Sequence, residues 1–101
     1  MVDGINEIVW TKRSLKNLQM IFDYISKDSL QNANKVINDI VKSMEKTQTN
    51  AFIYNVDKYK INNDGNYRAF EKHHYRVVYK IIKNTLYVLR VRHTKQEPFQ
   101  Y

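Results

Sequence analysis

The apolar positions of this chain change period once, and the change divides it in two. Leu15, Leu18, Phe22 and Ile25 recur at three- and four-residue steps with Ile21 beside them, which predicts a helix with one apolar stripe over residues 12–27. Thr11 stands just before it, where a hydroxyl can accept from the helix's unpaired N–H groups. Asp28-Ser29 interrupts the stripe, and Ser29 offers a second cap. Ala33, Val36, Ile37, Ile40, Val41 and Met44 form the next stripe, predicting a helix over residues 30–47. So short a link makes the two helices an antiparallel hairpin.

On either side of the hairpin the pattern is β-like. Residues 5–10 predict a first strand with Ile8 and Trp10 on one face. Residues 48–60 have no period and predict a loop with a short extended piece. Asn62-Asn63-Asp64-Gly65-Asn66 is a turn, because Asn, Asp and Gly tolerate positive φ. Beyond it, residues 67–71, 74–82 and 85–92 read as strands, with Lys83-Asn84 as a tight hairpin turn between the last two. Pro98 ends regular structure and leaves a short aromatic tail reaching Tyr101. The order is β-α-α-β-β-β. It predicts one α+β domain over residues 1–101, a helical hairpin packed on one face of a twisted antiparallel sheet. The other face is left to solvent or a partner.

Composition narrows the partners. Seventeen Lys and Arg against ten Asp and Glu give a formal charge of +7, which favours a polyanion: nucleic acid, an anionic membrane or an acidic protein. Eight Tyr against four Phe and one Trp suit strand positions, and equally a binding surface. With no Cys there is neither a disulfide framework nor a thiolate metal site. Asp3 and Glu7 break any signal-peptide pattern, and no run approaches the roughly 20 apolar residues of a membrane span. These features predict a cytoplasmic protein without membrane contact.

Three stretches resemble the RelE/ParE toxin superfamily, and together they cover nearly the whole chain. The first is Ile8-Val9-Trp10-Thr11 leading into a helix, then Tyr24-Ile25-Ser26 and Ala33. The second is Tyr67-Arg68-Ala69-Phe70 followed by Tyr75-Arg76-Val77-Val78-Tyr79, similar to central strands in which an Arg precedes a Tyr-Arg-x-x-Tyr run. The third is Val88-Leu89-Arg90-Val91-Arg92-His93, a final strand ending in His. The resemblance implies the toxin of a type II toxin–antitoxin pair, neutralised by a cognate antitoxin whose flexible, often acidic segment suits a +7 surface. It implies no cofactor. RelE-like members cut mRNA on the ribosome, whereas ParE-like members inhibit DNA gyrase.

Metal-free RNA cleavage needs a base for the 2′-hydroxyl, a clamp on the phosphate and an acid for the leaving oxygen. Arg supplies a planar fork for phosphate, and His titrates near neutrality. Strand alternation places Arg90 with Arg92 and Arg76 with Lys80. On the resemblance, Arg68, Arg76, Arg90, Arg92 and His93 are the candidate catalytic set. Lys80 and Tyr101 are candidates for RNA binding, Tyr79 a less favoured base-stacking ring and Glu71 a possible base. Against this, paired Arg on a strand are commonly a solvated face, and Tyr79 alternates with Val77 and Ile81 as a core residue would. Glu71 reads as a surface charge. Adjacent His73 and His74 point oppositely on a strand, which excludes a shared metal site. The Arg/His set favours ribosome-dependent mRNA cleavage. The long helical hairpin favours gyrase inhibition, and a degenerate toxin that only binds its antitoxin is a third reading.

Overall fold

The computed structural model describes residues 5–101, so Asp3 lies outside them. Four strands, β1 (Glu7–Trp10), β2 (Tyr67–Lys72), β3 (Tyr75–Ile82) and β4 (Thr85–His93), are joined by α1 (Lys12–Ser26) and α2 (Leu30–Glu45). Short 3-10 turns follow α2 at Lys46–Gln48 and β4 at Thr94–Gln96. The sheet order is β1-β4-β3-β2. The β2, β3 and β4 pairs are antiparallel as expected, but β1 joins β4 in parallel, making the sheet mixed. The hairpin carries the chain from the end of β1 to the far side of the sheet, and a crossover of this length permits the parallel pair.

Both expected caps are present. Thr11 Oγ1 accepts from Ser14 N at 3.2 Å and donates to Val88 O at 2.7 Å, so one hydroxyl starts α1 and ties it to β4. Ser29 Oγ accepts from Asn32 N at 3.0 Å at the start of α2. The α1 stripe is rotated from the expected one. Ser14, Leu18 and Ile21 are buried with Ile25 packed beside them, while Leu15 is 53% exposed. Ser14 takes the place because its Oγ donates to Thr11 O at 2.8 Å, which removes the cost of burying it. The α2 stripe of Ala33, Val36, Ile40 and Met44 is buried as read.

Phe70, Val77, Tyr79, Ile81, Leu86, Val88 and Val91 meet these helices in one core. The β2–β3 turn falls at His73 and His74, both with positive φ, so His74 is a turn residue rather than the start of a strand. Asn62 and Gly65 also have positive φ in the expected turn, as does Lys83 in the next hairpin. The segment before β2 runs along that strand's free edge. Ala69 N donates to Asn55 O at 3.1 Å and Asp57 N to Tyr67 O at 2.8 Å.

Two features position the outer sheet face. In β4, Val88 pairs with Tyr79 and Arg90 with Val78, so Leu89 is an extra residue and forms a bulge. Leu86 and Val88 face the helices on one side of it. After it Val91 faces them, and Arg90 and Arg92 turn outward. Secondly, the outer face is not bare. Tyr101 N donates to Tyr59 O at 3.1 Å and Ile61 N donates to Tyr101 O at 2.6 Å, folding the tail back across it.

Candidate nucleic-acid interface and its buried ion pair

Strand register assembles the outer face. Arg76 stands opposite Arg92, Val78 opposite Arg90 and Lys80 opposite Tyr87, while Glu71 and Tyr67 of β2 face Arg76 and Lys80. Arg76, Lys80, Arg90, Arg92 and Tyr101 therefore share one region, as the sequence suggested. Arg68 and His93 do not join them.

Arg76 is deep in this face. Nη2 donates to Asp57 Oδ1 at 2.7 Å, Nη1 donates to Glu71 Oε2 at 3.1 Å, and the guanidinium lies 4.9 Å from the Tyr59 ring centre. Asp57, 1% exposed, also accepts from Tyr101 Oη at 2.6 Å and Tyr59 N at 3.2 Å. Burial alone would push this carboxyl up. The bonds from Tyr101, Arg76 and Tyr59 outweigh it and hold Asp57 below the usual carboxylate range. Burial likewise pulls Arg76 down, but Asp57 and then Glu71 hold it above its ordinary value, so it stays charged. Burial, reinforced by Asp57, raises the Tyr101 phenol, keeping its proton on the bond to the carboxylate.

The other outward cations are matched differently. Arg92 Nε lies 3.5 Å from Glu97 Oε1, and Nη2 donates to Gln96 O at 2.8 Å. Arg90 is 6% exposed, with its guanidinium 4.1 Å from the Tyr101 ring centre and 4.5 Å from that of Phe99. Among the described residues no carboxylate pairs with it, and its Nε has no acceptor. Lys80 Nζ sits 5.4 Å from the Tyr67 ring centre.

Arg68 stands opposite Tyr79, on the helix side. Nη1 donates to Tyr54 O at 2.8 Å and Nε to Gly65 O at 3.0 Å, with the guanidinium 4.6 Å over the Phe52 ring, so it braces two loops. His93 stands opposite Tyr75, also on the helix side, its ring 5.2 Å from the Tyr75 ring centre. Its Nδ1 accepts from Lys95 N at 3.0 Å and caps the Thr94–Gln96 turn. That bond places the proton of the neutral ring on Nε2. Around it, Met20, Tyr24, Tyr75, Arg92, His93 and Lys95 line a cleft of about 590 Å³. Tyr79 is wholly buried. His73 Nε2 lies 2.6 Å from Asp39 Oδ2, and no group of three metal-ligating side chains occurs among the described residues.

Sequence reasoning missed Asp57, Tyr59, Glu97 and Phe99, the groups that hold the arginines. Asp57 falls in an aperiodic stretch where nothing distinguishes a buried carboxylate from a solvated one. Phe99 and Tyr101 bracket one position of the tail, and that aromatic pairing was the available signal.

Residues 8–98 match the family model described as the ParE toxin of the type II toxin–antitoxin system parDE. Solved structures share the fold. A chain of the chromosomal ParDE toxin–antitoxin system from P. aeruginosa is 19% identical with a TM-score of 0.68, covering 86% of this chain and 94% of that one. The RelBE2 toxin–antitoxin complex of Mycobacterium tuberculosis gives 14% identity and a TM-score of 0.59, covering 92% and 93%. A free E. coli RelE variant with two arginines changed to alanine gives 15% and 0.60, covering 93% and 86%. No curated protein matches by sequence. No helix among the described residues is long and apolar enough to cross a membrane. With the family match spanning nearly all of the two helices and four strands, the chain belongs to the ParE toxin family of type II toxin–antitoxin systems, within the RelE/ParE superfamily.

Proposed function

We propose that this toxin acts in the cytoplasm by binding DNA gyrase, not by cutting RNA, and is neutralised by a cognate antitoxin with an acidic segment. The observation that carries this reading is the division of the candidate catalytic set. His93 and Arg68 lie on the helix side of the sheet, whereas Arg76, Arg90 and Arg92 lie on the outer side. Metal-free cleavage requires an acid, a base and a phosphate clamp to meet at one phosphate. Of the outward arginines only Arg92 reaches the cleft that His93 borders, while Arg76 and Arg90 stay across the sheet from it. Arg76 is further matched by Asp57 and Glu71, and Arg92 by Glu97, which leaves Arg90 as the outward arginine without a carboxylate partner among the described residues. The family match to ParE supports the same branch.

Ribosome-dependent mRNA cleavage remains the second reading, because one observation favours it. Arg92, Lys95, His93 and two tyrosines border a single cleft at the end of β4. The test is direct. Purified toxin is added to gyrase with relaxed plasmid, and separately to a cell-free translation reaction whose mRNA ends are mapped. The expected result is loss of supercoiling with mRNA intact. New mRNA ends that vanish with His93→Gln would establish the second reading instead.

A further inference from the structure

Beyond Val88 the edge of β4 away from β3 has no strand partner, and α1 lies along it. Asn17 Oδ1 accepts from Val91 N at 2.9 Å, which fixes the distance between helix and strand. Beside this tether a depression of about 380 Å³ is lined by Arg13 and Lys16 of α1, Arg90 and Arg92 of β4, and Phe99 of the tail. Its lining contains four cationic side chains and no carboxylate.

We propose that this depression is a binding site for phosphoryl oxyanions, supplied by a nucleotide or by a nucleic-acid strand. The inference does not depend on gyrase being the target. Three observations lead to it. The Arg90 side chain is more than nine-tenths buried, lines the depression, and has an Nε without an acceptor among the described residues. A buried guanidinium whose Nε–H meets no acceptor leaves that donor unused, and a bound oxyanion would take it. Next, the first turn of α1 carries Lys12 and Arg13, with Lys16 close behind and no acidic residue. Cations at this end oppose the helix dipole, so the arrangement costs stability unless an anion sits there. Finally, Arg13 and Lys16 are exposed and three residues apart, hence on one helix face and free to turn toward a ligand. Arg92 is already shared with Glu97, and a carboxylate would neutralise one of the three remaining charges. A phosphate dianion, or successive phosphodiesters, meets more of them and fits the planar fork of Arg90.

The experiment uses the full chain, titrated by calorimetry at low salt with pyrophosphate, ATP, a short single-stranded oligonucleotide and polyglutamate. Arg13→Glu/Lys16→Glu reverses two exposed charges beside the depression. Lys27→Glu/Lys72→Glu makes the same net change far from it. The expected result is saturable phosphoryl binding, weakened about tenfold or more by the first pair and less than about twofold by the second. Binding of pyrophosphate and ATP assigns a nucleotide. Binding of the oligonucleotide alone, falling steeply with salt, assigns a strand. Equal weakening by both pairs would reduce the effect to general charge attraction and overturn the proposal. So would absence of phosphoryl binding, or preference for polyglutamate, which would make this a peptide site. Reading binding rather than toxicity keeps the result separate from the identity of the toxin's target.

Discussion

Arg76 Nη2 meets Asp57 Oδ1 at 2.7 Å, joining the middle of the sheet to a segment with no regular structure. The pair is closed on its far side by Tyr101, so a strand, a loop and the tail converge on one buried carboxylate. Removing Arg76 leaves the buried Asp57 without a countercharge, and removing Asp57 leaves the buried Arg76 with only the half-exposed Glu71.

Asp57→Asn should therefore lower stability by about 3–5 kcal/mol, a large share of what a domain of this size possesses. Thermal unfolding is the measurement, with a drop in midpoint of roughly 12 °C or more. A shift of only a few degrees would mean that water reaches the pair.

The same carboxylate sets the acid response. Its folded pKa is depressed below the ordinary carboxyl value of 3.8, so its contribution is complete above that value and is lost as pH falls through the lower folded one. Urea unfolding of the wild type should weaken steeply below about pH 4. In Asp57→Asn this part of the slope should disappear. At the alkaline end the sign reverses. The Tyr101 phenol is raised above 10.0, so its contribution is present below that pH and lost above it. Tyr101→Phe should flatten the alkaline decline, leaving the share due to Tyr54, Tyr75 and Tyr79, which are also raised.

The two helix caps should differ in weight. Ser29→Ala loses one cap bond at an exposed site and should cost about 1 kcal/mol by chemical denaturation. Thr11→Ala loses its cap and also the bond to Val88 O, so about 2 kcal/mol is expected. Equal costs would show that the tie to β4 contributes nothing.

Tyr24 and Met20 are 71% and 60% exposed on successive turns of α1 beside the His93 cleft. Tyr24→Ala should leave stability within about 0.5 kcal/mol. If the helix face reads a protein target, gyrase inhibition should nevertheless fall about tenfold, the ordinary cost of losing an aromatic anchor. His93→Gln should inhibit as well as wild type. The opposite pattern, with Tyr24 tolerant and His93 essential, would turn the assignment toward cleavage.

How legible this was depends on the element. Hydrophobic period and hydroxyl caps located both helices, because Thr11 and Ser29 act within their own turn. Strand faces were legible in β3, where strict alternation puts Val77 and Tyr79 inside and Arg76 outside. The rotation of α1 was not, since a buried Ser14 satisfied by its own helix looks like a surface residue in sequence. Nor was the separation of His93 from Arg76 and Arg90. A residue's position on a strand fixes its side, but which partners come to meet it depends on loops and tails whose path no period encodes. Asp57, Glu97 and Phe99 arrived by such paths.

Leu89 acts as a phase marker for everything that follows it in β4. With the extra residue, Arg90 and Arg92 look away from the helices, and Val91 fills the core. Were Leu89 paired regularly instead, a period of two would carry both guanidinium groups into the hydrophobic interior and turn Val91 to solvent. The bulge thus reconciles a strand one residue too long for regular pairing with the two faces it has to present. A one-residue deletion at position 89 would leave every later residue of β4 opposite its present partner, whereas a strand that kept the residue but lost the bulge would exchange its two surfaces from there onward.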